Sequence, residues 1–159
     1  MERKTDILDG LKRVPRVLSE MVQSIPADRL DLRRGKGFWT IAEHVSHLAE
    51  VQVMGLDRFQ RFVQEDHPVF VPYIPPADGL ATPRRLEMAA ALDQFSRYRE
   101  KQLQLLAGAD SAAWQKSATH PEYECYTLFI FARHVLMHDY WHMYRMEELW
   151  LTKDGHLAE

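Results

Sequence analysis

Trp39-Thr40-Ile41-Ala42-Glu43-His44-Val45-Ser46-His47-Leu48-Ala49-Glu50 is the stretch that decides the fold class. Thr40 and Glu43 stand at the S/T-x-x-E spacing of a capping box, in which two side chains satisfy the first free amides of a helix. Ile41, Val45, Leu48, Gln52, Leu56 and Phe59 then repeat at threes and fours, which places them on one helical face. The spacing predicts a helix from Thr40 to about Gln64, amphipathic and carrying two histidines.

The same periodicity recurs outward from this segment. Leu8, Leu11, Val14, Leu18, Met21 and Ile25 predict a helix over about Asp6 to Ser24. Pro15 inside it should kink or break it, and Pro26 ends it. After Gln64 the chain carries Pro68, Pro72, Pro75, Pro76 and Gly79, so Glu65 to Ala81 reads as a long connection. A connection of that length either crosses the bundle, so that two helices run parallel, or covers a site. Thr82-Pro83 reads as the N-cap and first residue of a third helix, which extends to about Ala107 and stops at Gly108. A second loop, Gly108 to Glu124, precedes a fourth helix from about Thr127 to Leu151. The reading is a single all-α domain over residues 1–159, a four-helix bundle.

Composition narrows the function. The chain has 159 residues, 46% of them hydrophobic, enough for one sizeable core. A formal charge of −3 with scattered Lys and Arg gives no basic stripe, which argues against nucleic-acid binding. The apolar stretches are amphipathic and interrupted by charge, which argues against a membrane span. The N-terminal residues show no signal-peptide core, and the single cysteine, Cys125, excludes an internal disulfide. A cytoplasmic protein is the default expectation.

The chemistry sits in the histidines. His138 and His142 are four apart, so a helix points both rings at one spot. A third imidazole from another helix would make a three-histidine site with an open position, the pattern of catalytic metal centres. Taking His138 as zero, His142 falls near about +40° and His134 near about −40°, on a face shared with Phe131, Val135 and Leu149. On the second helix, His44 lies nearer the apolar arc and His47 about 60° further round, and spacing leaves both open as the third ligand. His134 is expected as a second-shell donor or core residue. Asp139, at about +100°, would either orient a ligand imidazole or face solvent. Asp139 and His134 are the only candidates for a general base. Arg145, at about −20°, would bind an anionic substrate or pair with a carboxylate such as Glu148 or Glu50.

Other residues receive plainer readings. Glu43 is explained by capping. His67, His120 and His156 read as solvated, Cys125 as a bystander thiol, and Trp39, Trp114, Trp141 and Trp150 as core or interface aromatics. Glu-x-x-His is absent, with Asp139-x-x-His142 as a single substitute, so a di-iron carboxylate centre is disfavoured. Cys-x-x-Cys-His is also absent, so covalent haem is excluded.

Several segments together resemble the DinB-like superfamily. Trp39-Thr40-Ile41 followed by His47-Leu48-Ala49-Glu50 resembles its first signature, and His138-Asp139-Tyr140-Trp141-His142 its closing His-x-x-x-His helix. Glu65-Asp66-His67-Pro68-Val69-Phe70-Val71-Pro72-Tyr73 resembles the proline-bearing loop of one subgroup, as does Trp114 followed by His120-Pro121-Glu122-Tyr123. The resemblance runs from Leu8 to Leu151. It implies up-down-down-up connectivity with a long crossover between the second and third helices. It implies metal ligands His47, His138 and His142, with His44 and His134 as additional or second-shell histidines. It also implies a homodimer, and a divalent metal: zinc or nickel first, iron or manganese as alternatives.

The implied activity is a thiol S-transferase in which the metal activates a low-molecular-weight thiol toward a small-molecule substrate. Metal-dependent hydrolysis is the next expectation. A non-catalytic stress-response or interaction bundle, with a structural metal or none, is the alternative of a different class.

Overall fold

A computed structural model describes residues 4–72 and 84–158. Four long helices form it: α1 (Lys4–Ser24), α2 (Ile41–Gln64), α3 (Met88–Gly108) and, after a short α4 (Ser111–Gln115), α5 (Leu128–Leu151). Two-residue strands β1 (Ser117–Ala118) and β2 (Tyr126–Thr127) pair antiparallel and close the loop before α5. None of the described helices is long and apolar enough to cross a membrane.

The helix starts follow from capping chemistry. Thr40 accepts from the Glu43 amide while the Glu43 carboxylate accepts from the Thr40 amide, completing the expected box. Thr127 caps α5 through the Ile130 amide. Thr82 and Pro83, the expected start of the third helix, lie outside the described residues. The helix itself begins later, at Met88, because the Glu87 carboxylate accepts from the amides of Ala89 and Ala90. Before it, the Leu86 amide is held by Ser46 Oγ of α2.

Helix α1 runs through Pro15 without a break. Proline has no amide to give, so the carbonyl of Leu11, four residues back, loses its helical donor. The buried Arg99 of α3 donates to that carbonyl instead, at 3.4 Å. The proline is therefore tolerated by a bond from a neighbouring helix.

Contacts along the bundle fix the helix directions. Going down α2, Ser46, Ala49 and Gln52 meet Leu86, Gln94 and Gln102 in turn, so α2 and α3 run parallel. His44 and His47 of α2 meet His142 and His138 of α5, and Phe59 meets Phe131, so these two helices are antiparallel. Lys4 at the start of α1 reaches Ala109 at the end of α3, so α1 opposes α3. The order along the chain is up, down, down, up.

Two apolar clusters fill the ends of the bundle. Ile7, Leu11, Phe59, Phe62, Leu106 and Phe131 anchor one; Val14, Leu18, Ile41, Leu48, Phe95 and Met146 anchor the other. Between them lies a polar layer of Gln52, Arg99, Gln102 and Asp139, each with at most 1% of its surface exposed. A Cβ at Gly55 would stand 3.1 Å from Gln102 Nε2, so glycine lets this layer sit against α2.

Candidate metal centre

His47, two turns into α2, and His138 and His142, one turn apart on α5, bring their rings together midway along the bundle. One ring nitrogen from each lies within 4.8 Å of the other two. His138 Nε2 is 3.3 Å from His47 Nε2 and 3.1 Å from His142 Nε2. A tetrahedral ion with bonds of about 2.0–2.1 Å holds its ligand nitrogens about 3.3 Å apart, so the donor set fits one divalent cation.

His44 occupies a different place. Its Nδ1 lies 2.8 Å from His142 Nδ1, on the side of that ring away from the cluster. With Nε2 turned to the cluster as a lone pair, His142 carries its proton on Nδ1 and donates it to His44. An outer hydrogen bond of this kind fixes the tautomer and the ring plane of a ligand. The periodicity that favoured His44 as the inward residue is real, since it is the more buried of the two; inward is not the same as facing the cluster. Trp39, just ahead of the cap, stacks on His142 at 5.7 Å between centroids and 13° between planes.

Burial holds these imidazoles neutral. It lowers His44 from 6.5 to about 4, helped by Arg145 and His47, and lowers His47 to about 4, helped by His138. Burial also takes His142 down to about 2, with the other three histidines adding to the effect, and lowers His138. Neutral imidazole is the form that ligates a metal. The pH dependence follows by linkage. The unfolded chain takes up protons near 6.5, whereas the folded chain resists until about 4 or below. Stability carried by the neutral rings is thus whole above 6.5 and lost as the pH falls from there toward 4. Thermal unfolding of chelator-treated protein should show the midpoint falling across that window. A flat midpoint would contradict the burial of the cluster.

Asp139 neither orients an imidazole nor faces solvent. It is fully buried and its Oδ2 accepts from Arg99 Nη2 at 2.7 Å. One residue past His138, it turns away from the cluster toward α3, as its position near +100° allows. Its Oδ1 has no hydrogen-bond partner among the described residues. Burial raises its pKa, and Arg99 opposes the rise. His134 is apart from the cluster and packs against Tyr123 and Tyr126. Arg145 lies beside the cluster and pairs with Glu148.

Among the plainer readings, His67 is exposed and bonds Thr119 Oγ1, and His156 is exposed. His120 departs from expectation: it is half-buried and stacks on Tyr123 at 4.4 Å. Trp114 is core, but Trp141 is 56% exposed beside the site. Cys125 is exposed.

Two cavities flank the cluster, and His138 lines both. One, of about 350 Å³, is bounded by Phe38, Trp39, His44, Trp141 and Arg145. The other, of about 360 Å³, extends past His47 toward Arg58, Tyr126 and His134. Arg99 and Arg58 were both missed in the sequence. Arg99 had a signal: it falls on the apolar stripe of α3 with Ala91, Phe95, Gln102 and Leu106, where a charge needs a buried partner. Nothing in the spacing marks Arg58.

The fold agrees with what the chain is similar to. The protein YfiT from Bacillus subtilis has the same fold, with a TM-score of 0.76 over 94% of this chain and 90% of that one, at 21% identity. It is described as "a probable metal-dependent hydrolase with an unusual four-helix bundle topology". No curated protein matches the chain in sequence. The family model of the DinB superfamily matches residues 11–151, nearly the whole bundle and both histidine-bearing helices. The chain belongs to the DinB superfamily.

Proposed function

We propose that this protein is a metal-dependent enzyme that transfers the sulfur of a low-molecular-weight thiol to a small electrophile, with His47, His138 and His142 holding one divalent ion. The observation that carries the reading is the convergence of three neutral imidazoles, from two helices, between two separate cavities. Zinc or nickel suits three imidazoles best, with iron or manganese as alternatives. A bound divalent ion supplies the charge that lowers the pKa of a thiol or water.

The residues around the ion divide the remaining work. His44 fixes the His142 ring through the Nδ1 pair. Trp39 covers that ring and keeps water from its face. Arg145, paired with Glu148 at the wall of the first cavity, offers its remaining donors to an acidic group on the thiol. Two cavities meeting at His138 suit two substrates, one on each side. Hydrolysis is the second reading, favoured by the description of the structurally similar Bacillus protein. A homodimer in the cytoplasm is the proposed setting.

The test is direct. Zinc- or nickel-loaded protein is incubated with a low-molecular-weight thiol and an aryl halide, and the free-thiol titre is followed. Ester cleavage without thiol is followed in parallel. Metal-dependent thiol consumption is expected. Ester cleavage alone would replace the transferase reading with the hydrolase one, and neither activity would count against an enzyme.

A further inference from the structure

The cavity on the α2 side of the cluster has a second, unassigned cation at its far wall. Arg58 is half-buried there, positioned by a bond from Nη2 to the Val71 carbonyl at 2.9 Å. Its guanidinium lies 5.5 Å from the Phe70 ring centre and 6.0 Å from that of Phe131. Among the described residues, no carboxylate pairs with it. Glu122 lines the same cavity but is exposed, and Asp139 is already bonded to Arg99. Arg145, by contrast, has a carboxylate partner, Glu148, and lines the other cavity.

The walls between Arg58 and His138 are flat and aromatic. Tyr123 and Tyr126 stack at 5.6 Å, and Tyr126 and His134 approach at 5.9 Å. Val51, Met54 and Val135 add apolar surface, and Gln52 and Gln102 add polar atoms. His120 and His134 on this side are half-buried, and burial holds His134 toward its neutral form. A guanidinium with no carboxylate partner among the described residues, at one end of an aromatic slot, selects a flat body with one negative end.

We propose that this cavity binds a planar carboxylate, with Arg58 taking the carboxylate and the aromatic wall taking the conjugated or ring body. The far end of such a ligand is directed toward His47 and His138. The inference names the acidic substrate of the enzyme proposed above, yet the anion site itself stands without the metal.

The probe is benzoate, with benzamide as its uncharged match, titrated by calorimetry into the protein before and after chelation. Millimolar binding of benzoate in both states is expected, with benzamide weaker. Arg58→Met should weaken benzoate by about tenfold or more and leave benzamide unchanged, as loss of a charge-assisted bond requires. Nuclear Overhauser contacts from the benzoate ring to methyls of Val51, Met54 and Val135 locate the site in the native protein, whatever the variants' folding. Equal affinity in Arg58→Met, or contacts elsewhere, would overturn the proposal. Binding abolished by chelation would place the carboxylate on the metal and also overturn it. Benzoate binding in a protein that takes up no metal would leave the anion site standing and remove only the metal-based reading.

Discussion

Replacing Arg99 with alanine is expected to cost the fold about 3–5 kcal/mol, the usual penalty for stripping one partner from a buried ion pair. Arg99 and Asp139 are both fully buried, 2.7 Å apart. The guanidinium also donates to Gln102 Oε1 at 3.0 Å, to Gln52 Oε1 at 2.9 Å and to the Leu11 carbonyl that Pro15 leaves free. Alanine leaves a carboxylate, two amide oxygens and a main-chain carbonyl short of a donor, in a layer whose side chains are each at most 1% exposed. The asymmetry of such pairs supplies the control. A double variant, Arg99→Met with Asp139→Leu, removes both charges and should be markedly more stable than Arg99→Ala alone. Urea unfolding of the three proteins decides it. A loss below about 1 kcal/mol in Arg99→Ala would mean that the layer is hydrated and the pair is screened.

The second large effect separates a ligand from its support. His138→Ala should abolish metal binding and the activity that depends on it, because His138 Nε2 is the nitrogen nearest both other ligands. His44→Ala should keep the stoichiometry but weaken affinity by about 10- to 100-fold, the usual effect of losing an outer hydrogen bond to a ligand. Competition against a chelating dye measures both. Equal loss in the two variants would place His44 in the coordination set, and no loss in His138→Ala would remove the cluster from consideration.

The helices were legible because caps and apolar repeats are local. Thr40 with Glu43 marks a start that the structure reproduces, and the fourth helix begins, as expected, at about Thr127. The start of α3 was missed because Glu87 competes with Thr82-Pro83 as a cap, and a tertiary bond from Ser46 to Leu86 decides where the chain turns helical. Pro15 was read as a kink or a break, and the helix is unbroken because the carbonyl it frees is bonded by Arg99, far along the chain. The His138–His142 pair was legible from i,i+4 spacing. The choice between His44 and His47 was not, since it depends on where α5 lies across α2; family resemblance, rather than periodicity, pointed to His47. Asp139 was located on the right helix, but its partner sits on α3; Arg145 pairs with Glu148, one of the two carboxylates its position allowed.

The central claim is that three imidazoles hold one divalent ion. Metal content by elemental mass spectrometry tests it most directly, on protein purified without a metal-binding tag and with His138→Ala alongside. The account predicts about one divalent ion per chain in the native protein, lost in the variant. No metal in either protein after reconstitution with zinc or nickel would contradict it, and would leave the four histidines as neutral core residues bonded to one another.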